Sequence, residues 1–146
     1  MKDNVLATME TLRLVLSEIN WASDESGLQT VYCIGFGPPH APVSGVVVGV
    51  DPDTESFIFL ANFFPHALTG NREALERYIT RTNWNLTIGS FEMNCDDGGV
   101  RFRLGLDFTG SELSAPTIRH VILSAMKIIE EHSPSLCNAM AGCVAN

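Results

Sequence analysis

A few places in this 146-residue chain carry residue types whose spacing could do chemistry. Asp51-Pro52-Asp53-Thr54-Glu55 sets carboxylates at alternate positions, as the opening of a calcium loop does. Such a loop also requires a glycine and a closing bidentate glutamate, at the positions that Ser56 and Asn62 hold. The segment therefore reads as a turn between strands. Asp96-Asp97-Gly98-Gly99 reads the same way, because Asp and Gly tolerate the left-handed backbone of tight turns. Gly35-Phe36-Gly37 begins like a dinucleotide fingerprint, but His40 stands where the third glycine belongs. The prolines that follow prevent the immediate helix whose N-terminus would hold phosphate.

Nucleophiles and metal ligands are no better arranged. No serine sits in a G-x-S-x-G elbow, and His40, His66, His120 and His132 form no H-E-x-x-H pair. His120 falls within a helical pattern and His132 at its end, where a protonated imidazole would meet the helix dipole favourably. Cys33, Cys95, Cys137 and Cys143 lack zinc-ligand spacing and read as reduced thiols, mostly buried. The expectation is a protein with no catalytic residues, no cofactor and no metal, one that binds rather than catalyses.

Charge narrows what it binds. A net charge of −8, with nine Lys and Arg residues spread along the chain, disfavours nucleic acid, whose affinity for proteins comes largely from neutralised phosphates. The acidic residues are scattered too, as on a solubilising surface. Met1-Lys2-Asp3-Asn4 lacks the basic and apolar regions of a signal peptide, and no apolar run approaches a membrane span. A cytoplasmic protein without a membrane partner is expected, in which the Asn85-Leu86-Thr87 sequon is irrelevant. With 45% hydrophobic and 18% charged residues, the composition is globular, and residues 1–146 read as a single domain.

The elements that must position these residues follow from periodicity. Apolar residues at 5, 9, 12, 16 and 19 define one face of a first helix, stopped by the turn formers Ser23-Asp24-Glu25-Ser26-Gly27. Residues 28–36, 43–50 and 56–63 read as an antiparallel meander of strands. Thr69-Gly70-Asn71 offers helix-start chemistry, and Ala74, Leu75, Tyr78, Ile79 and Thr82 share one side of a second helix that ends near Trp84. Residues 86–93 and 100–108 form a hairpin, the second strand carrying apolar residues at even positions and one wet face. Ser114 caps a third helix with Pro116 in its first turn, and Ile118, Ile122, Ala125 and Ile129 line one face, widened by Val121 and Ile128. Ser133-Pro134 restarts a short terminal helix, with Leu136 and Met140 one turn apart and Gly142 as its stop. The order α-β-β-β-α-β-β-α, with a helical tail, predicts an α+β fold rather than a parallel doubly wound sheet.

Large aromatics are the remaining candidates. Trp21 and Trp84 each follow an Asn at a helix exit, and core packing is the commoner fate of each. Tyr78 and Trp84, on or beside the second helix, are nevertheless the best candidates for contact with a partner.

The segment 75–103 resembles the YbjN family of bacterial proteins. It carries the family's helix with an Asn-bearing exit (Asn83-Trp84-Asn85) and a small residue before Phe (Ser90-Phe91). The acidic-glycine turn Asp96-Asp97-Gly98-Gly99 and the strand Val100-Arg101-Phe102-Arg103 follow in the family's order. The likeness continues into the third helix, and the element order is similar to that of type III secretion chaperones. The resemblance implies an antiparallel sheet of about five strands with helices packed on it. It also implies a homodimer whose grooves hold a partner segment. The family is described as sensory transduction regulators, which names no reaction and supplies no site residues. The expected function is a noncatalytic, dimeric, protein-binding adaptor or chaperone-like regulator. The alternative is a small-molecule sensor or enzyme with a pocket between sheet and helices.

Overall fold

The structure is a computed structural model that describes residues 1–21, 23–24, 32–35 and 42–141, with 23–24 and 32–35 described by their backbone. The first amphipathic stripe forms α1 (Asp3–Glu18), with Val5, Met9, Leu12 and Leu16 buried and Ile19 packed against the core from outside. The first strand run is described over β2 (Tyr32–Gly35), and the remainder of 28–36 lies outside the described residues. Ser23 and Asp24, read as part of a turn, instead form the two-residue β1 paired to β2. β3 (Val43–Asp51) and β4 (Ser56–Phe63) follow as expected, and the chain then leaves β4 through a cis Phe64–Pro65 peptide.

A 3₁₀ turn (Thr69–Asn71) leads into α2 (Arg72–Trp84). Asn71 makes no side-chain cap on α2; its Nδ2 donates to Met140 O, satisfying a carbonyl at the far end of the third helix. Leu75 and Ile79 are buried and Tyr78 and Thr82 half-buried, but Ala74 is exposed.

β5 (Ser90–Met93) is shorter than the 86–93 run, and β6 (Val100–Asp107) matches its run closely. Gly89 explains the shortening. Its φ of +67° turns the chain out of extended geometry, and a Cβ there would collide with the Cζ tip of the Phe102 ring.

α3 (Ala115–Met140) is one helix of 26 residues, where a break at Ser133-Pro134 was expected. Its N-cap is as read: Ser114 Oγ accepts from Thr117 N at 3.3 Å. The stripe Ile118, Ile122, Ala125, Ile129, Ser133, Leu136 and Met140 stays in helical phase through Pro134, and every member is buried. An interior proline costs roughly 3 kcal/mol. Fully burying Leu136 and Met140 beyond it returns about 1.5–3 kcal/mol each, which is enough to carry the helix through. The Pro134 ring itself is exposed, and Ser133 Oγ bonds back to Ile129 O. His132 therefore lies inside a helix and not at its end, with its ring 5.7 Å from that of Phe91 in an edge contact. The expected stop at Gly142 lies outside the described residues.

The strands form one antiparallel sheet in the order β1-β2-β3-β4-β6-β5, six strands with the short β1 at one edge. Alternation assigns its faces. Val46, Val48, Phe57, Phe59, Phe102 and Phe91 point into a core shared with the three helices. The aromatic centre is held by edge-on contacts of Phe102 with Phe59 and with Phe91, at 6.2 and 5.2 Å between ring centroids. Among the described residues, no helix covers the opposite face. On β6 its members Arg101, Arg103, Gly105 and Asp107 are exposed, as the even-odd pattern predicts.

Candidate functional site

The second and third helices pack side by side and leave a groove of about 530 Å³ between them. Four α2-side residues and the last turn below them supply one wall: Tyr78, Arg81, Thr82 and Asn85, with Leu86 beneath. Ile128, Glu131 and His132 of α3 supply the other. Tyr78, Leu86 and Ile128 are partly buried apolar groups resting on the core, so the groove has an apolar floor with a charged rim of Arg81 and Glu131.

The two aromatic candidates part company here. Tyr78 lines the groove. Trp84, the last residue of α2, stands outside it and is 88% exposed, so the commoner expectation of core packing fails for this residue. Helical geometry gives the reason: Ile79 is buried, and Trp84, five residues on, is carried about 140° around the helix from it. Trp21 meets the expectation, half-buried against the core.

The end of α2 is fixed to the sheet by Asn83, a residue to which no motif assigns a role. Its side-chain amide bonds the backbone N–H and C=O of Phe91 in β5, each at 2.9 Å. These are the two groups that Phe91 would offer to an added strand. Asn83 thus locks α2 to the sheet and occupies the β5 edge at its centre. The sequence carries an Asn at the helix exit eight residues before Phe91, but the bond crosses a chain reversal that periodicity does not report.

The turns first weighed as metal loops are structural. Asp51 Oδ1 accepts from Asp53 N at 2.9 Å, closing an Asx turn. Glu55, almost fully buried at φ +49°, accepts from Lys2 Nζ and Asn4 Nδ2, both at 2.7 Å, and from Gly110 N at 3.3 Å. The Lys2 contact, with those of Asn4 and Gly110, lowers its pKa to about 2. Glu55 ties the N-terminus of α1 to the loop before α3, a role no motif announced. In the second turn, Arg72 donates to Ala67 O, Cys95 O and Asp96 O, and Gly98 holds φ +76° beneath it.

Among the described residues, no group of three or more His, Cys, Asp and Glu could hold a metal ion. Of the thiols expected to be mostly buried, Cys95 is exposed and Cys137 half-buried, and the side chains of Cys33 and Cys143 lie outside the described residues. The Cys95 thiol donates to Glu76 at 3.4 Å, and that bond pushes its pKa up. A hollow of about 510 Å³ on the open sheet face is lined by Asn62, His66, Glu92, Asn94 and Arg101 among others. Its charges are largely answered from within: His66 meets Asp97 at 3.9 Å, and Glu92 meets Arg101 and Arg103 at 3.1 and 2.9 Å. No helix among the described residues is long and apolar enough to cross a membrane.

The sheet order and helix arrangement define a class of small α+β domains in which helices pack on one antiparallel sheet. Residues 8–138 match the model of the YbjN family, described as "Putative bacterial sensory transduction regulator". The chain is a member of the YbjN family. Among solved structures it is similar to the crystal structure of YbjN, a putative transcription regulator from E. coli. The identity is 13%, each chain is covered over 92% of its length, and the TM-score is 0.64, a likeness of fold. No curated protein matches the chain.

Proposed function

We propose that the chain is a noncatalytic, homodimeric adaptor or chaperone-like regulator that holds a segment of a partner protein in the groove between α2 and α3. The observation that carries this reading is the groove itself, with Tyr78 in its wall; Trp84, 88% exposed at the end of α2 and outside the groove, is a second exposed aromatic on the same helix. Exposed tryptophan is costly to leave in water and is enriched at the energetic centres of interfaces. The β5 edge competes poorly as a docking place, because Asn83 already holds both backbone groups of Phe91. Of the two general modes open to such a fold, strand addition and helix or segment in groove, the second is favoured. The family's description, which names regulation and no reaction, is consistent with this reading.

Affinity capture with the tagged chain, run beside a Tyr78→Ala/Trp84→Ala variant, tests it. The reading predicts a partner recovered by the wild type and depleted at least tenfold with the variant. Equal recovery by both would place the partner elsewhere.

A further inference from the structure

Among the described residues the sheet is covered by helices on one face only, and the open face is polarised. Cross-strand register lines up its residues in rows. Asn62 and Arg101 stand at one end and Asp51, Ser56 and Asp107 at the other. Between them lie two rows, Val47-Leu60-Arg103 and Gly49-Ile58-Gly105. Arg101 and Arg103 share the single carboxylate of Glu92, which among the described residues leaves one positive charge in excess. At the far end Asp51 and Asp107 spend their hydrogen bonds on their own turns, and among the described residues neither reaches a Lys or Arg.

We infer that this face is the surface through which two copies of the chain associate, an assignment that rests on the homodimer reading above. A nucleic acid would be repelled by the aspartate end and a basic peptide by the arginine end. The matching partner carries both signs in reverse order along the strands, and a second copy turned end for end has that order.

Charge also fixes the symmetry axis. An axis along the strands would bring the arginine ends of both copies to the same side, whereas an axis across them, between the two middle rows, sets Arg101 of one copy against Asp107 of the other. The same operation lays Leu60 over Ile58. It sets Val47 opposite Gly49, where a hollow of about 430 Å³ receives it. Arg103 comes opposite Gly105, where a Cβ would meet nothing nearer than Phe57 O at 3.8 Å. Side chains therefore face glycines, as interdigitation of two sheets about 10 Å apart requires.

The test is sedimentation of the full chain as wild type, as Arg101→Asp, as Asp107→Arg, and as an equimolar mixture of the two variants. Each variant alone sets like charges together at both symmetry-related contacts, while the mixed pair restores opposite charges at both. The expected result is a wild-type dimer, at least tenfold weaker association of each variant, and recovery of the dimer on mixing. Gly105→Trp is a second block that leaves the monomer's packing intact and should also yield monomers with an unchanged circular dichroism spectrum. Variants that all dimerise like the wild type would move the interface elsewhere while sparing the homodimer reading. A monomeric wild type would overturn both, and failure of the mixture to recover would overturn the Arg101–Asp107 pairing.

Discussion

Asn83 stands in for a seventh strand at the β5 edge: its Nδ2 donates to Phe91 O while its Oδ1 accepts from Phe91 N. One side chain thereby satisfies two backbone groups of a residue that is 1% exposed, and fixes where α2 ends against the sheet. Asn83→Ala leaves both groups without this partner and should cost about 1–3 kcal/mol in urea unfolding. It should also raise the chain's tendency to aggregate, because the edge becomes open to pairing. Unchanged stability would mean that the bond pair contributes nothing.

Glu55 is one carboxylate, along with Asp51 and Asp107, whose lowered pKa makes stability depend on acid pH. Its folded pKa, about 2, lies below its ordinary value of 4.5. A depressed carboxylate pKa means that the unfolded chain binds more protons in this window, so the contribution is full above about pH 4.5 and falls away as pH drops toward 2. Glu55→Gln should lower the thermal midpoint at pH 7 and flatten its dependence on pH between 5 and 2. A variant as steep as the wild type in that range would assign the acid sensitivity to other groups.

Gly89 and Gly110 separate backbone strain from collision. Both hold positive φ, +67° and +73°, but a Cβ at Gly89 meets the Phe102 ring while one at Gly110 meets nothing within 4 Å. Gly110→Ala should cost about 1–2 kcal/mol from the left-handed backbone alone. Gly89→Ala adds overpacking of roughly 1–3 kcal/mol and should be clearly the worse of the two in chemical denaturation.

Cys95 is exposed but held as a thiol, because its hydrogen bond to Glu76 and that residue's negative charge both raise its pKa. The thiolate is the reactive form. Glu76→Gln removes the charge and should speed alkylation of Cys95 by iodoacetamide at pH 8, read by mass spectrometry of the modified peptide. An unchanged rate would show that Glu76 does not govern the thiol.

Much of the fold was legible because burial has a period. The stripe from Val5 to Leu16, the even residues of β6 and the Ser114 cap all occupy the places that pattern assigned. What failed were local rules overridden by tertiary packing. Pro134 suggested a break, yet Leu136 and Met140 continue the buried stripe in phase beyond it. The 86–93 run looked like strand throughout, yet the close approach of Phe102 to Gly89 confines β5 to its second half. The site was legible in part. Tyr78 reached a groove wall because it shares the helical side of Leu75 and Ile79. Asn83, Glu55 and Arg72 act on backbone or side chains distant in sequence or across a reversal, and neither propensity nor motif records such partners.

The central claim, that a protein segment is held at the α2–α3 groove, is tested most directly by photo-cross-linking. Arg81→p-benzoylphenylalanine, in the groove wall, would be irradiated beside a control at Leu14, which is 63% exposed on α1. The account predicts a discrete cross-linked partner from position 81 and none from position 14, with the product lost when Tyr78→Ala is added. The same partner from both positions, or from neither, would contradict it.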